Sequence, residues 1–553
     1  MKNRLLFLLL FIVINVFGQD PKLSENFIVQ VGEEYKDMKG RIKEVFKYKD
    51  YVISLKSRQH DMVVQKFDSK TLEEVGRKEY PDFLKGIGHF QEIIRIGDNV
   101  VFFYAKWDRD AQVESLHAQL FSLKSLEVIS VKEVVNQQGK IARNSFSSFR
   151  VVNTVKSLFG KKYILRKSLS NNKLLITYRL KPEFRDDSKG KDRFLINVFD
   201  SKLDLIWKEQ VEMPYTEKKM NNVDFAIDKN EDFYMLASVF DDDSTDEKKE
   251  KEKKANYHLE MFKVKKNTNV IVKNEIRIGN NFISQIMIYE DSDSNLVMAG
   301  TSKNPDKSNI FIDDKGQATG IFTVKLNKDG GVSDFNNYDF PLEMLQKYAT
   351  GKEKKDIKKQ VDDEEEKPTF ENLIINKIVR NSDGSFLIIG EQKYVQTRNN
   401  ANMQNRSQSK HVYRDILVTK INKDGLIDWM HRLPKRQITI RAENTLSMSY
   451  KYMSSGENHY LLYMDNIKNL DLPENKLPHR YIGVEKGFFT TYIINHSTGE
   501  VKKEVIFEAS NIKGKEFENF VMRKVLKLSD SEILIEGMGR KKDRFLVKVT
   551  AKK

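Results

Sequence analysis

Apolar residues along this chain fall in short runs, many alternating with polar positions, and the runs are separated by turn residues. From Leu373 the order is an apolar stretch Ile374–Val379, a turn Asn381–Gly384 and a strand Phe386–Ile389. A long polar insertion follows, then a strand Ile416–Ile421, a turn Asn422–Gly425 and a strand Leu426–Leu433. Apolar runs of strand length bounded by Asp-Gly turns predict antiparallel hairpins. They also exclude a helical repeat, which needs apolar residues every three to four positions.

The same unit recurs along the chain. An apolar residue on each predicted third strand is followed eight positions later by another, as in Phe67/Val75, Phe121/Ile129, Phe199/Trp207, Phe262/Val270, Ile421/Trp429 and Ile493/Val501. Leu326 fits as well, with Asp334 at the partner position. First strands are predicted near Lys43, Gln91, Tyr163, Val223, Ser284, Ile374, Ser447 and Arg523. The last unit has three strands, Val525–Leu528, Ile533–Gly537 and Phe545–Val549, and the apolar segment Asn26–Gly32 is the obvious donor of its fourth. Four-stranded units with one divided between the two ends of the chain predict an all-β fold, a closed β-propeller, because closure protects every sheet edge. The count is eight blades; seven or nine would follow from one misread unit, and a β-sandwich or solenoid is the alternative architecture.

Composition then locates the protein. Met1–Gly18 has Lys2 and Arg4 before an apolar core, Leu5–Val13, and small residues near Gly18, the pattern of a secretory signal peptide. Residues 19–553 are expected to form one propeller domain, exported to the periplasm, associated with the outer membrane or secreted. Removing residues 1–18 leaves 93 basic against 80 acidic residues, a net charge of +13, from the 95 and 80 of the full chain. An exported basic protein meets acidic proteins, anionic surfaces or polysaccharide rather than nucleic acid. With no cysteine there is no disulfide, thiolate metal site or cysteine nucleophile. Beyond residue 18 no apolar run reaches the roughly 18 residues of a spanning helix.

The connections are unequal. Turns between first and second and between third and fourth strands are short. Insertions at 137–162, 182–192, 241–256, 303–319, 341–372, 393–414 and 465–486 fall between second and third strands or between blades. In a propeller those two kinds of loop open on one face, and long loops on one side of a rigid scaffold are where binding concentrates. Val134–Pro182 contains eleven basic residues and no acidic one. Within it Phe146, Phe149, Val152, Val155 and Phe159 recur at helical spacing with Arg150 and Lys156 off that face, predicting a short basic amphipathic helix. Such a helix can dock a partner groove, lie on anionic lipid, or pack its phenylalanines on the propeller. Asp241–Lys254 reads as a solvated mobile loop, Pro341–Lys367 as a helix followed by a flexible tether, and 393–414 as a segment disordered when free that orders on a partner. The expected partner-binding residues are Arg143, Phe146, Phe149, Arg150, Lys156, Phe159, Lys161, Lys162, Arg398 and Arg406.

No catalytic motif stands out. The nine histidines include no H-x-H and no H-E-x-x-H, and there is no G-x-S-x-G, Walker or dinucleotide-binding glycine pattern. Asp61, Asp192 and Asp415 precede third strands in three units and read as loop-ending residues that satisfy backbone amides. Trp207 and Trp429 occupy equivalent outer-strand positions, where packing between blades accounts for them. No catalytic residue, cofactor or metal is expected. The units Ser382–Gly390 and Val418–Gly425 resemble the bacterial propellers with Asp-Gly turn repeats, a likeness covering nearly the whole mature chain. With its leader, length and lack of catalytic motifs, the chain also resembles the periplasmic plug subunit of the type IX secretion translocon. That resemblance implies a non-enzymatic module binding an envelope or outer-membrane protein, a pore-occluding or accessory subunit of a secretion complex. The alternative is a carbohydrate-active or other hydrolytic propeller with its site on the central axis.

Overall fold

The computed structural model describes residues 23–552 apart from 38–41, 144–149, 152–160, 169–171, 183–188, 243–247, 250–253, 277–281, 291–295, 305–316, 328, 364–365, 399–407, 471, 474–475, 484–486, 516–518 and 540–542. Eight antiparallel four-stranded sheets follow one another along the chain as the blades of a β-propeller. Blades one to seven span 42–80, 89–138, 163–216, 220–276, 282–339, 373–433 and 450–508, and blade eight runs from Leu526 to Ala551. The eighth is completed as the sequence implies: Phe27–Val31 pairs antiparallel with Arg544–Ala551, from Phe27 opposite Ala551 to Val31 opposite Val547.

Burial follows strand position. The second strands Phe233–Phe240 and Leu296–Lys303 are buried at every residue, since each has a strand on both sides and a blade on both faces. The outermost strand Glu74–Tyr80 instead alternates exposed with half-buried positions. Eight apolar clusters fill the gaps between neighbouring blades, one per gap. Phe194 and Phe225 join blades three and four, with rings 5.6 Å apart, and Leu534 and Leu546 meet Val52 and Phe67 across the closing gap between blades eight and one. Trp207 and Trp429 are buried, and their indole N–H groups donate to the carbonyls of Glu231 (3.0 Å) and His496 (3.2 Å) on the next blade. They are inter-blade bolts, as expected.

The short turns build themselves. In Asn422–Gly425 the Asn422 side-chain oxygen accepts from the amides of Asp424 and Leu426, both at 3.0 Å, while Gly425 takes φ +87°, which a side chain would strain.

Three insertions differ from their sequence reading. In 341–372 the chain forms two helices, α1 (Leu342–Gln346) and α2 (Gly351–Asp362), so the basic run expected to be a tether is helical. Its start carries a capping box: Thr350 Oγ1 accepts from the Glu353 amide and Glu353 returns the bond to the Thr350 amide. Ile357 and Leu345 are buried with Phe340 and Phe370, which fixes the helices to the blade five–six gap. Segment 393–414 is a β-hairpin over Lys393–Arg398 and Gln408–Tyr413 that prolongs the second and third strands of blade six. In 241–254, Lys248–Lys249 pairs with Lys254–Ala255, a short hairpin in the run read as a mobile loop.

Candidate functional site

All long connections leave the ring on one face, at the second-to-third strand loops and the blade-to-blade crossings. Among the residues expected to bind a partner, Phe146, Phe149, Lys156, Phe159 and Arg406 lie outside the described residues. Arg143 is exposed, and its carbonyl accepts from Arg179 Nη2 at 3.0 Å. Arg150 sits on a two-residue strand, Arg150–Val151, paired in parallel with Gln285 and Ile286 on the innermost strand of blade five. At that point the run expected to be helical is extended; hydrogen-bonding to the free edge of blade five replaces the helical turn. Lys161 pairs with Glu92 (3.1 Å) and Lys162 with Glu114, tying the entry of blade three to blade two. Arg398 ends the hairpin strand of blade six opposite Gln408. The five described members, Arg143, Arg150, Lys161, Lys162 and Arg398, sit on separate elements.

Beneath the insertions runs a seam of buried ion pairs. Between blade six, its helices and blade seven, Arg432 donates to Asp415 through Nε at 2.8 Å, and both side chains are almost fully buried. Asp415 Oδ1 also accepts from the Lys435 amide. Arg414 Nη1 holds Glu353 Oε1 of α2 at 2.7 Å, and Lys435 Nζ, fully buried, faces Glu391 at 2.8 Å. Burial by itself would raise the Glu353 pKa, but Arg414 and the Thr350 amide outweigh it and hold the carboxylate below its ordinary value. On blades three and four Arg179 bridges Asp192 (2.8 Å) and Glu217 (2.7 Å), and Asn222 donates to Asp192. Of the three loop-ending aspartates, Asp61 accepts a backbone amide as expected, from Asp82 at 2.9 Å. Asp415 does so in part, and Asp192 serves side chains instead. Removing one member of such a pair strands a buried charge, so the seam holds the insertions in place.

Near the axis the inner strands carry cations. Lys377 lies 5.4 Å from the centre of the Tyr452 ring. Burial, and secondarily Lys377, lowers the pKa of Lys451 to about 8. The inner-strand carboxylates Glu92 and Asp224 are each tied to a cation, Lys161 and Arg166.

One histidine cluster escaped the sequence. Tyr452 OH meets His459 Nδ1 (2.9 Å), His459 Nε2 meets His496 Nδ1 (2.9 Å), and His496 Nε2 meets Asp383 Oδ2 (2.8 Å). Asp383 closes the chain by accepting from the amide and hydroxyl of Ser385. The relay lies between blades six and seven at the short-turn end, far in sequence from any spacing motif. Burial first, then the neighbouring His496 and Lys420 charges, lower His459 to about 4, so it is neutral at pH 7. Its members occupy strands and short turns rather than a cleft, and what the arrangement does is clamp two blades. Among the described residues no three His, Asp or Glu side chains form a metal-holding group.

No protein-family model and no curated protein sequence matches the chain. Solved structures similar to it include the β-propeller domain of the trilobed protease from Pyrococcus furiosus, at 10% identity and TM-score 0.31, covering 84% of this chain and 96% of that one. The polysaccharide lyase Uly1 is 11% identical with TM-score 0.32, over 85% of this chain and 91% of that one. A Synechocystis apocarotenoid oxygenase is 7% identical with TM-score 0.31, over 71% of each chain. At these values the likeness transfers no activity.

Proposed function

We propose that this chain is a non-enzymatic interaction module of the cell envelope. The ring binds an envelope or outer-membrane protein through its insertion face and serves as a pore-occluding or accessory subunit of an outer-membrane secretion complex. One observation carries the reading: every long connection opens on the same face of a ring closed on itself, and at blade six a seam of buried ion pairs fixes the helices and the crossing there. Where the described insertions are fixed by such pairs, little ordering is left for the moment of contact, which favours binding.

The test is affinity purification of the tagged full chain from gently solubilised native envelopes. A stoichiometric membrane complex is expected, and a chain that elutes alone overturns the reading. Deleting 144–160, which spares Lys161 and Lys162, should reduce the recovered complex while leaving the ring folded by circular dichroism. Release of new sugar ends from polysaccharide by the purified ring would favour the hydrolytic alternative instead.

A further inference from the structure

Above blade six the insertion extends that blade's own sheet into a ribbon. Its first two strands are the hairpin Lys393–Arg398 and Gln408–Tyr413. Gln437–Thr439 adds alongside, antiparallel to His411–Tyr413. Tyr481, from the insertion of blade seven, joins Gln437 by a parallel bridge, with its amide on the Arg436 carbonyl and its carbonyl on the Ile438 amide, both at 2.9 Å.

Register then decides which side chains share a face, because residues level with one another point the same way. Tyr413 is level with Gln437 and Gln437 with Tyr481, so Arg414, Arg436 and Arg480 form one row across the ribbon. By the same count Val412, Ile438 and Ile482 form a row two residues on, followed by Lys410 beside Ile440. The face is arginine, then aliphatic, then mixed.

The inner end of the arginine row is neutralised: Arg414 is buried against Glu353. The outer end is not. Arg436 is half-buried and its guanidinium donates only to the Pro478 carbonyl (3.2 Å), Arg480 is exposed, and neither forms an ion pair with a carboxylate among the described residues. Burial and the like charges of Arg414 and Arg480 press the Arg436 pKa below its ordinary value. In the aliphatic rows Val412 and Ile438 are buried, whereas Ile440 is 57% exposed and Ile482, at 66%, is the most exposed large apolar side chain among the described residues. Guanidiniums with no carboxylate partner among the described residues, beside exposed isoleucines, favour a complementary partner that pairs the charge and covers the apolar surface.

Resting on the proposed role of the insertion face, we infer that this ribbon binds an acidic, amphipathic segment of the partner protein. Carboxylates of that segment bridge Arg436 and Arg480, and its apolar side chains cover Ile440 and Ile482. Guanidinium forks suit carboxylates in paired geometry, and the isoleucines select for an apolar companion over a bare polyanion.

The probe is a fluorescent twelve-residue synthetic peptide alternating glutamate with leucine, titrated with the full chain and followed by anisotropy. Arg436→Glu with Arg480→Glu should weaken binding about tenfold or more and flatten its salt dependence. Ile440→Ser with Ile482→Ser should weaken it severalfold and keep the salt dependence. Lys70→Glu with Lys502→Glu, the same change in net charge at exposed positions on the short-turn side, should leave binding unchanged. Equal weakening by that control pair, or wild-type binding by the arginine pair with its fold intact by circular dichroism, overturns the inference. The envelope purification separates the two claims. A complex recovered at wild-type yield with the arginine pair removes this site and keeps the module. A wild-type chain that elutes alone removes the module, and the peptide titration still judges the ribbon.

Discussion

The two faces of the ring solve the same problem by opposite means. At the short-turn face the connections are a few residues long, and several of the described ones satisfy their own backbone, as Asn422 does for Asp424 and Leu426. At the insertion face the connections are long, and their polar groups are satisfied by residues of other blades: Arg414 by Glu353, Arg179 by Glu217, Lys162 by Glu114. Local satisfaction makes one face interchangeable from blade to blade. Distant satisfaction makes the other individual, and a specific partner needs an individual surface.

The sharpest way to break the contrast is to remove one member of the buried seam. Asp415→Ala leaves Arg432 buried without its carboxylate and should cost about 3–5 kcal/mol in denaturant unfolding. A loss under about 1 kcal/mol would show that the insertion side is not held by these pairs.

The relay through His459 is one of several links between blades on the short-turn side, beside Lys132–Asp204 and Lys173–Glu231, and it predicts a pH effect. His459 is lowered to about 4 in the folded chain, against about 6.5 when unfolded. The unfolded chain therefore binds the proton first. Its contribution is fully present above about pH 6.5 and is lost as pH falls toward 4, about 3 kcal/mol at most. Stability measured across that window should fall, and His459→Phe should flatten the slope.

Next in size is Gly499→Ala. Gly499 takes φ +72°, and an added Cβ would lie 2.8 Å from the Trp429 ring, so the change should destabilise by about 1–2 kcal/mol in thermal unfolding. The smallest effect belongs to Lys70→Glu with Lys502→Glu, whose side chains are exposed: within about 0.5 kcal/mol.

The same contrast governs what could be read from the sequence. The blade repeat, the closing strand Asn26–Gly32 and the bolts Trp207 and Trp429 were legible because each rests on local pattern: strand-length apolar runs, Asp-Gly turns and a fixed offset between strands. Helix α2 was hidden by its charge, although Thr350, Glu353 and Ile357 carried a capping box and a buried face that charge counting passed over. The hairpin over 393–414 was hidden because its asparagine- and glutamine-rich stretch reads as unstructured, while its strands simply continue those of blade six. Arg436 lies in the crossing from blade six to blade seven and Arg480 in the insertion of blade seven, and they meet through the bridge between Gln437 and Tyr481. No spacing along the chain encodes that bridge. His459, His496 and Asp383 meet for the same reason, across a blade boundary.

The pairing of Phe27–Val31 with Arg544–Ala551 also sets the order of events in time. A chain delivered N-terminus first, from a ribosome or through any pore, presents one half of its final joint at the outset and the other half at the end. Contacts this remote in sequence form slowly, because the loop between them must be closed before they return any stability. Until residues 544–551 emerge, blade eight has no third strand and the gap between blades eight and one cannot fill. The ring therefore closes as a last, single step. The stretch that waits longest, Phe27–Val31, is an apolar strand with an open edge, and it is the segment to shield while the rest of the ring is made.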